Sequence, residues 1–303
     1  MRILITGGNG FVGSKVQNLL KKKYEVHSIS RSNGFDLSEG SYTHFSKKKK
    51  FDILINSAAH VGSVKYVKDN AANVIDKNIR IYVNTYKSAL ECDVKKIINI
   101  NAACIYPGNS NIQNEKYLWF GRQHESSEAF SSPKKFLGHL GNAYQSQYGI
   151  ISHNLILPGV YGPGDSPDPM KTHAMNALII KSILYKYKNQ PLEVWGTGKP
   201  IREWIYVEDV AKLVLKALNK KSLPEFINLG QQKGLSILNT VKKLSDILKF
   251  DLENVKFLTE MPDGDYKKVL SSKLFKKHFK NFKFTSENTG IRKTINYYKS
   301  ILI

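Results

Sequence analysis

The 303-residue chain carries 46 Lys and Arg against 25 Asp and Glu, a formal net charge of +21, with 41% hydrophobic residues and two cysteines. That length suits one large α/β unit or two closely joined domains with ample core. Two cysteines, Cys92 and Cys104, argue against a disulfide framework or a zinc cluster, so no metal is expected, and no apolar run reaches the length of a membrane span. The lysines are scattered over predicted helix faces, with short runs at 21–23 and 47–50 and no interleaved base-stacking aromatics. The charge therefore reads as compositional bias rather than a nucleic-acid surface, although a basic surface attracts a diphosphate. The segment Met1-Arg2-Ile3-Leu4-Ile5-Thr6 goes straight into a strand pattern without a signal peptide's layout. A soluble cytoplasmic protein without nucleic-acid or membrane partners is expected.

In chain order, residues 2–6 form a short apolar run ending at glycines, and 10–20 have helical spacing. Strands are predicted at 24–30 and 51–56, a long helix at 70–92 and the next strand at 96–101. A helix at 128–148 and a buried strand at 152–158 complete the alternation. Such a rhythm implies a doubly wound parallel α/β sheet of Rossmann type. After Gly162-Pro163-Gly164-Asp165 the rhythm breaks. Helices at 173–187, 207–219, 236–248 and 291–300 alternate with short strands at 192–195 and 225–229. We expect a dinucleotide-binding domain over 1–165 and a smaller C-terminal α/β substrate lobe over 166–303, with parts of 200–230 packing back on the sheet.

Thr6-Gly7-Gly8-Asn9-Gly10-Phe11-Val12-Gly13 follows the first strand and opens the first helix. In the Gly-x-x-Gly-x-x-Gly pattern one glycine turns the chain, one admits a pyrophosphate to the backbone, and one seats helix on strand. The helix N-terminus then offers free N–H groups to the anion. Alone, such a triplet is only a tight turn; within a strand–turn–helix unit it marks a nucleotide site. An acidic residue at the end of the second strand would take the ribose 2′-hydroxyl of NAD. This chain has Ser30-Arg31-Ser32 instead, and the Arg31 fork suits a 2′-phosphate, which favours NADP while leaving NAD open. Asp36 and Leu37 are expected beside the adenine.

These segments, with several others, resemble the extended short-chain dehydrogenase/reductases, and among them the GDP-L-fucose synthase family, nearly end to end. The likeness rests on Ala58-Ala59-His60-Val61-Gly62, Cys104-Ile105-Tyr106-Pro107, Tyr161-Gly162-Pro163, the run Trp195-Gly196-Thr197-Gly198-Lys199-Pro200-Ile201-Arg202-Glu203, and Pro262-Asp263-Gly264. The resemblance implies a GDP-linked 4-keto-6-deoxy sugar as substrate, epimerised at C3 and C5 and then reduced at C4 with NADPH. It also implies a homodimer built from the two long helices of the sheet domain. For epimerisation it assigns Cys104 and His173, since a ketone acidifies the flanking C–H bonds and each carbon needs a base and an acid. Read without the family, Cys104 is a core thiol and His173 a surface imidazole. Arg202 and Lys181 match positions that hold the diphosphate, Lys181 as a point charge rather than a fork. Trp195 and Asp263 are expected at the substrate, and Ala58, Ala59 and Lys134 at the dinucleotide.

Three departures bear on activity. Ala102 stands where the superfamily carries its catalytic serine, and Phe130 in Phe130-Ser131-Ser132-Pro133-Lys134 replaces the tyrosine of Tyr-x-x-x-Lys. Gly159 stands where the family has asparagine. Loss of a general acid costs ~10²–10⁴ in rate. Tyr106, Ser131 or water could substitute, and no spacing selects one. Three readings follow: an epimerase with impaired or absent C4 reduction, an NADPH-dependent ketoreductase with a substitute donor, and a non-catalytic dinucleotide or sugar-nucleotide binder. Ala102 and Phe130 are also the changes one would engineer to trap a substrate; Ala103 beside Ala102 favours natural divergence.

Overall fold

The computed structural model describes residues 1–108 and 112–303. In the first part, β1 (Arg2–Thr6), β2 (Glu25–Ile29) and β3 (Ile53–Asn56) alternate with α1 (Phe11–Leu20) and the single turn α2 (Tyr42–Phe45). A short α3 (Val64–Asp69) leads into the long α4 (Ala71–Glu91), followed by β4 (Lys96–Ala102), α5 (Glu128–Tyr148) and β5 (Ile151–Leu157). The remainder is built of shorter pieces. They are β6 (Gly159–Tyr161), α6 (Ala174–Lys188), β7 (Glu193–Trp195), β8 (Ile201–Arg202), β9 (Trp204–Tyr206) and α7 (Val207–Leu218). Then come β10 (Phe226–Asn228), β11 (Leu235–Ser236), α8 (Ile237–Leu248), β12 (Lys256–Leu258), β13 (Lys267–Lys268), α9 (Lys273–His278) and α10 (Glu287–Leu302).

Six strands form one parallel sheet in the order β10-β5-β4-β3-β1-β2. Both faces are covered, which is why its strands read as apolar runs rather than alternating ones. Ile3 and Ile5 face α1 and α7 with Val16, Val210, Leu213 and Phe275. Leu4, Leu54 and Ile97 face α4 and α5 with Tyr82, Tyr86 and Leu137. A polar ladder crosses the sheet interior. Thr6 Oγ1 donates to Asn56 Oδ1 at 3.0 Å, Asn56 Nδ2 to Asn99 Oδ1 at 3.0 Å, and Asn99 Nδ2 to the Tyr86 hydroxyl at 3.0 Å. A one-residue slip of any strand would turn its rung into buried unpaired amides, so the ladder fixes register.

A third cluster, with Met175, Ile179, Val194, Trp204, Leu244 and Ile295, holds α6, α8 and α10 together. This C-terminal layer is edged by two- and three-stranded sheets. Because β1 is followed by β2 on one side and β3 on the other, the strand order reverses at the carboxyl ends of β1 and β3. That switch point is where an open α/β sheet leaves a crevice. No helix among the described residues is long and apolar enough to cross a membrane.

Candidate active site

The crevice at the switch point is a cavity of about 570 Å³ lined by Gly7, Gly10, Arg31, Asp36, Leu37, Ala58 and Ala59 among others. Gly7 has a φ of +69°, and a Cβ there would stand 2.7 Å from the Ala58 nitrogen. At Gly13 a Cβ would stand 2.1 Å from the Gly7 carbonyl oxygen, so this glycine seats α1 on the loop. Gly10 caps α1 with no side-chain hydrogen bond, and the first turn carries no acidic residue. The helix N–H groups are therefore left for an anion, and the pyrophosphate of a dinucleotide fits the cradle. Phe11 and Val12 do not line the cavity. Phe11 packs its ring 5.3 Å from that of His173, and Val12 packs against the core.

Arg31 opens a 3₁₀ turn over Arg31–Asn33, pinned by the Ser30 N–H donating to Asn33 Oδ1 at 2.6 Å. Asn9 reaches across from the glycine loop to Ser32 Oγ at 2.8 Å. Burial raises the pKa of Asp36, but the Ser38 N–H and hydroxyl outweigh it and hold the carboxyl below its ordinary value.

At the end of β4, Ala102 and Cys104 are partly accessible whereas Ala103 and Ile105 are buried. Lys134 on α5 is buried, and its Nζ donates to the Ile100 carbonyl at 3.0 Å. The ammonium lies 5.4 Å from the Phe130 ring centroid and 6.0 Å from that of Tyr82. Burial pushes the Lys134 pKa down to about 8. Burial likewise raises the Cys104 thiol, against the opposing pull of Lys268 and Lys134. Two of the expected substitute donors are engaged: Tyr106 donates to Asn228 Oδ1 at 2.8 Å, and the buried Ser131 to the Glu128 carbonyl at 3.4 Å. A third hydroxyl was not foreseen. Tyr82 is fully buried and its hydroxyl finds no hydrogen-bond partner among the described residues. A helical side chain leans toward its helix N-terminus, and α4 runs antiparallel to the strands, so Tyr82 leans toward the carboxyl edge of the sheet.

A second cavity, of about 410 Å³, opens between the sheet edge and the C-terminal layer. His173, Lys181, Trp195, Arg202 and Asp263 all line it. His173 precedes α6 with its side chain about half exposed, and its Nδ1 lies 2.7 Å from Asp165 Oδ2. The same oxygen accepts from the Thr172 hydroxyl at 2.5 Å, the His173 N–H at 2.9 Å and Asn176 Nδ2 at 3.0 Å. Asp165 Oδ1 accepts from the Ser166 N–H at 2.9 Å. Burial alone would raise the Asp165 pKa; these donors and the imidazole hold it far below the carboxylate range.

Lys181 donates to the Glu193 carbonyl at 3.0 Å and stands 5.9 Å from the Trp195 ring centroid. Arg202 donates to the Asp263 carbonyl at 3.1 Å. The Asp263 carboxylate accepts from the Thr197 N–H and hydroxyl, each at 2.7 Å. Lys268, unremarked in the sequence, links the two groups of residues. Burial lowers its pKa, and the ionisable groups that bear on it are Cys104, Arg202 and Asp265. At Gly159 a Cβ would stand 2.5 Å from the Trp204 ring. No asparagine fits there without moving that ring.

Three comparisons agree with this architecture. Residues 3–230 match the NAD dependent epimerase/dehydratase family. The chain is 29% identical to the GDP-L-fucose synthase of Dictyostelium discoideum over 98% of itself and 94% of that protein. It is 30% identical to the GDP-L-fucose synthase of Sinorhizobium fredii, over 89% and 87% of the two chains. The NADP-bound crystal structure of a GDP-L-fucose synthetase from Naegleria fowleri superposes with a TM-score of 0.85 at 24% identity, covering 99% of this chain and 94% of that one.

Proposed function

The chain belongs to the NAD dependent epimerase/dehydratase family, and on that premise we propose that it is a GDP-sugar-modifying enzyme of the extended short-chain type. It epimerises C3, C5 or both of a GDP-linked 4-keto-6-deoxy sugar, with C4 reduction slow or absent. The observation that carries this reading is the unequal survival of groups. An imidazole held by a carboxylate lines the sugar-sized cavity and a thiol stands at the sheet edge, whereas positions 102 and 130 offer no hydroxyl.

Epimerisation needs no net redox change. A C–H bond beside the ketone breaks, its proton passes to a base, and the electron pair moves onto the ketone oxygen as an enolate. An acid on the opposite face then returns a proton to carbon. Cys104 and His173 are the groups of this chain that move those protons. Arg202 and Lys181, which line the second cavity, supply positive charge for the diphosphate. The GDP-linked substrate is supported by the relatives, which are GDP-L-fucose synthases.

NADP is the dinucleotide that the first cavity suits. The NADP in the related Naegleria structure and Arg31 at the end of β2 support it. When bound, it supplies the reducing equivalent for C4. Lys134, on α5 and outside the lining of the first cavity, would hold its nicotinamide ribose, as the resemblance implies.

A second reading, a ketoreductase with a substitute donor, is favoured by one observation: the Tyr82 hydroxyl, without a partner among the described residues, on a ring 6.0 Å from Lys134 Nζ. Incubation with GDP-4-keto-6-deoxymannose in heavy water separates the readings. Deuterium entering at C3 or C5 without NADPH consumption supports the epimerase. Rapid loss of NADPH absorbance moves the assignment to the reductase. Neither signal, in protein that binds NADPH, leaves a silent binder.

A further inference from the structure

We propose that Asp165 is the positioning residue of the imidazole: it locks His173 as the Nδ1–H tautomer and leaves Nε2 as the atom that exchanges a proton with the sugar carbon. The inference rests on the epimerase reading above and adds to it a residue, a ring atom and a tautomer.

The argument is one of donors and acceptors. Asp165 Oδ2 receives three donors besides the imidazole: the Thr172 hydroxyl, the His173 N–H and Asn176 Nδ2. With Ser166 N–H on Oδ1, the carboxylate is held as an anion that can only accept. An anion 2.7 Å from Nδ1 requires a proton on that nitrogen. In the neutral ring Nε2 is then unprotonated and basic, and when it takes a proton from carbon the imidazolium forms beside a fixed negative charge. This is how a buried aspartate orients a catalytic histidine in unrelated hydrolases.

The local backbone is arranged for the contact. Gly162 and Gly164 take φ values of +141° and +98°, conformations that turn the chain after β6 back over α6. Asn176 Oδ1 accepts the Gly162 N–H at 3.0 Å while its Nδ2 holds Asp165, so one amide ties the turn to the carboxylate. Phe11, at the start of α1, packs on the imidazole ring at 5.3 Å and limits its rotation. The ring is thus fixed from two sides while about half of it remains open to the cavity.

The test begins with the unmodified protein. Long-range ¹H–¹⁵N correlation of ¹⁵N-histidine-labelled protein, assigned with His173→Gln, should show neutral His173 with a protonated Nδ1 and a bare Nε2. A dominant Nε2–H tautomer would overturn the proposal without any variant. Asp165→Asn keeps one acceptor but removes the charge, and Asp165→Ala removes both. Solvent deuterium exchange at the sugar carbon should fall by ~10-fold or more in the first and by ~10²–10⁴-fold in the second. GDP-sugar affinity should stay within about threefold, and Asp165→Ala should lose the tautomer preference. If both variants fold, bind and exchange as the parent does, Asp165 is only a loop anchor. If His173→Gln itself exchanges at full rate, the epimerase reading fails at His173, a result distinct from failure at Asp165.

Discussion

Restoring the missing hydroxyls should restore reduction. Phe130 lies one helical turn before Lys134 on α5, so the two share a face, and Lys134 Nζ is 5.4 Å from the Phe130 ring centroid. Phe130 is only partly buried, so a para-hydroxyl has room, and the adjacent ammonium favours its ionised form. A general acid contributes ~10²–10⁴ in rate, about 3–5 kcal/mol of barrier at ~1.36 kcal/mol per decade. Phe130→Tyr combined with Ala102→Ser is therefore expected to raise NADPH-dependent reduction of the 4-keto sugar by at least ~10². Deuterium exchange at C3 and C5 should move by less than about threefold, because neither position belongs to that step. The assay is NADPH absorbance, with product identity by NMR and dinucleotide affinity by calorimetry. A double variant that binds NADPH as the parent does yet gains less than tenfold would refute the reasoning. So would a parent that already turns over in the ordinary enzymatic range of ~1–10³ s⁻¹.

Other expectations follow from single contacts. Arg31→Ala should weaken NADPH by ~10–100-fold and leave NADH within about twofold in fluorescence titrations, since a charge-assisted hydrogen bond contributes about 1.5–3 kcal/mol. Lys134→Met should stabilise the fold at pH 7 by about 1–3 kcal/mol in urea melts while weakening the dinucleotide. Below about pH 8 folded and unfolded chains both hold the Lys134 proton, so its burial costs a constant amount. Between about 8 and the ordinary 10.5 the unfolded chain is the more protonated, so parent stability should climb with pH and the variant's advantage shrink. Equal stability at pH 7 and pH 10 would contradict the burial argument. Glu203→Ala should cost about 3–5 kcal/mol, because the buried carboxylate accepts the N–H groups of Gln231, Gln232 and Leu270. A loss under about 1 kcal/mol would mean that water replaces it.

The first cavity was legible because its chemistry is local. Seven consecutive residues, Gly7 to Gly13, set a turn and a helix start whose geometry follows from glycine alone. The parallel sheet was legible from apolar runs of ordinary length. The second cavity was read through individual residues such as His173 and Arg202, and what surrounds them was not visible. Asp165 sits eight positions before His173, just after two positive-φ glycines that turn the chain, and no periodic pattern joins the two. Tyr82 has helical core periodicity, and nothing in that pattern says that its hydroxyl finds no partner among the described residues. Asp263 lines the second cavity, and nothing in the sequence showed that its carboxylate also serves Thr197, 66 positions away. The strands β8, β11 and β13 are two residues each, too short for a period-two pattern to register.

The outermost position of the sheet is filled late. β10, at Phe226–Asn228, pairs with β5, and α7, which covers the face carrying α1, ends only at Leu218. During synthesis the nucleotide-binding half therefore waits for some sixty residues beyond position 165 before its last edge is sealed. A fragment cut at 165 would present the seven-residue rim of β5 to solvent, an invitation to strand-swapped aggregates. Linking β10 to the first half, rather than trimming at 165, is the way to isolate a well-behaved dinucleotide module.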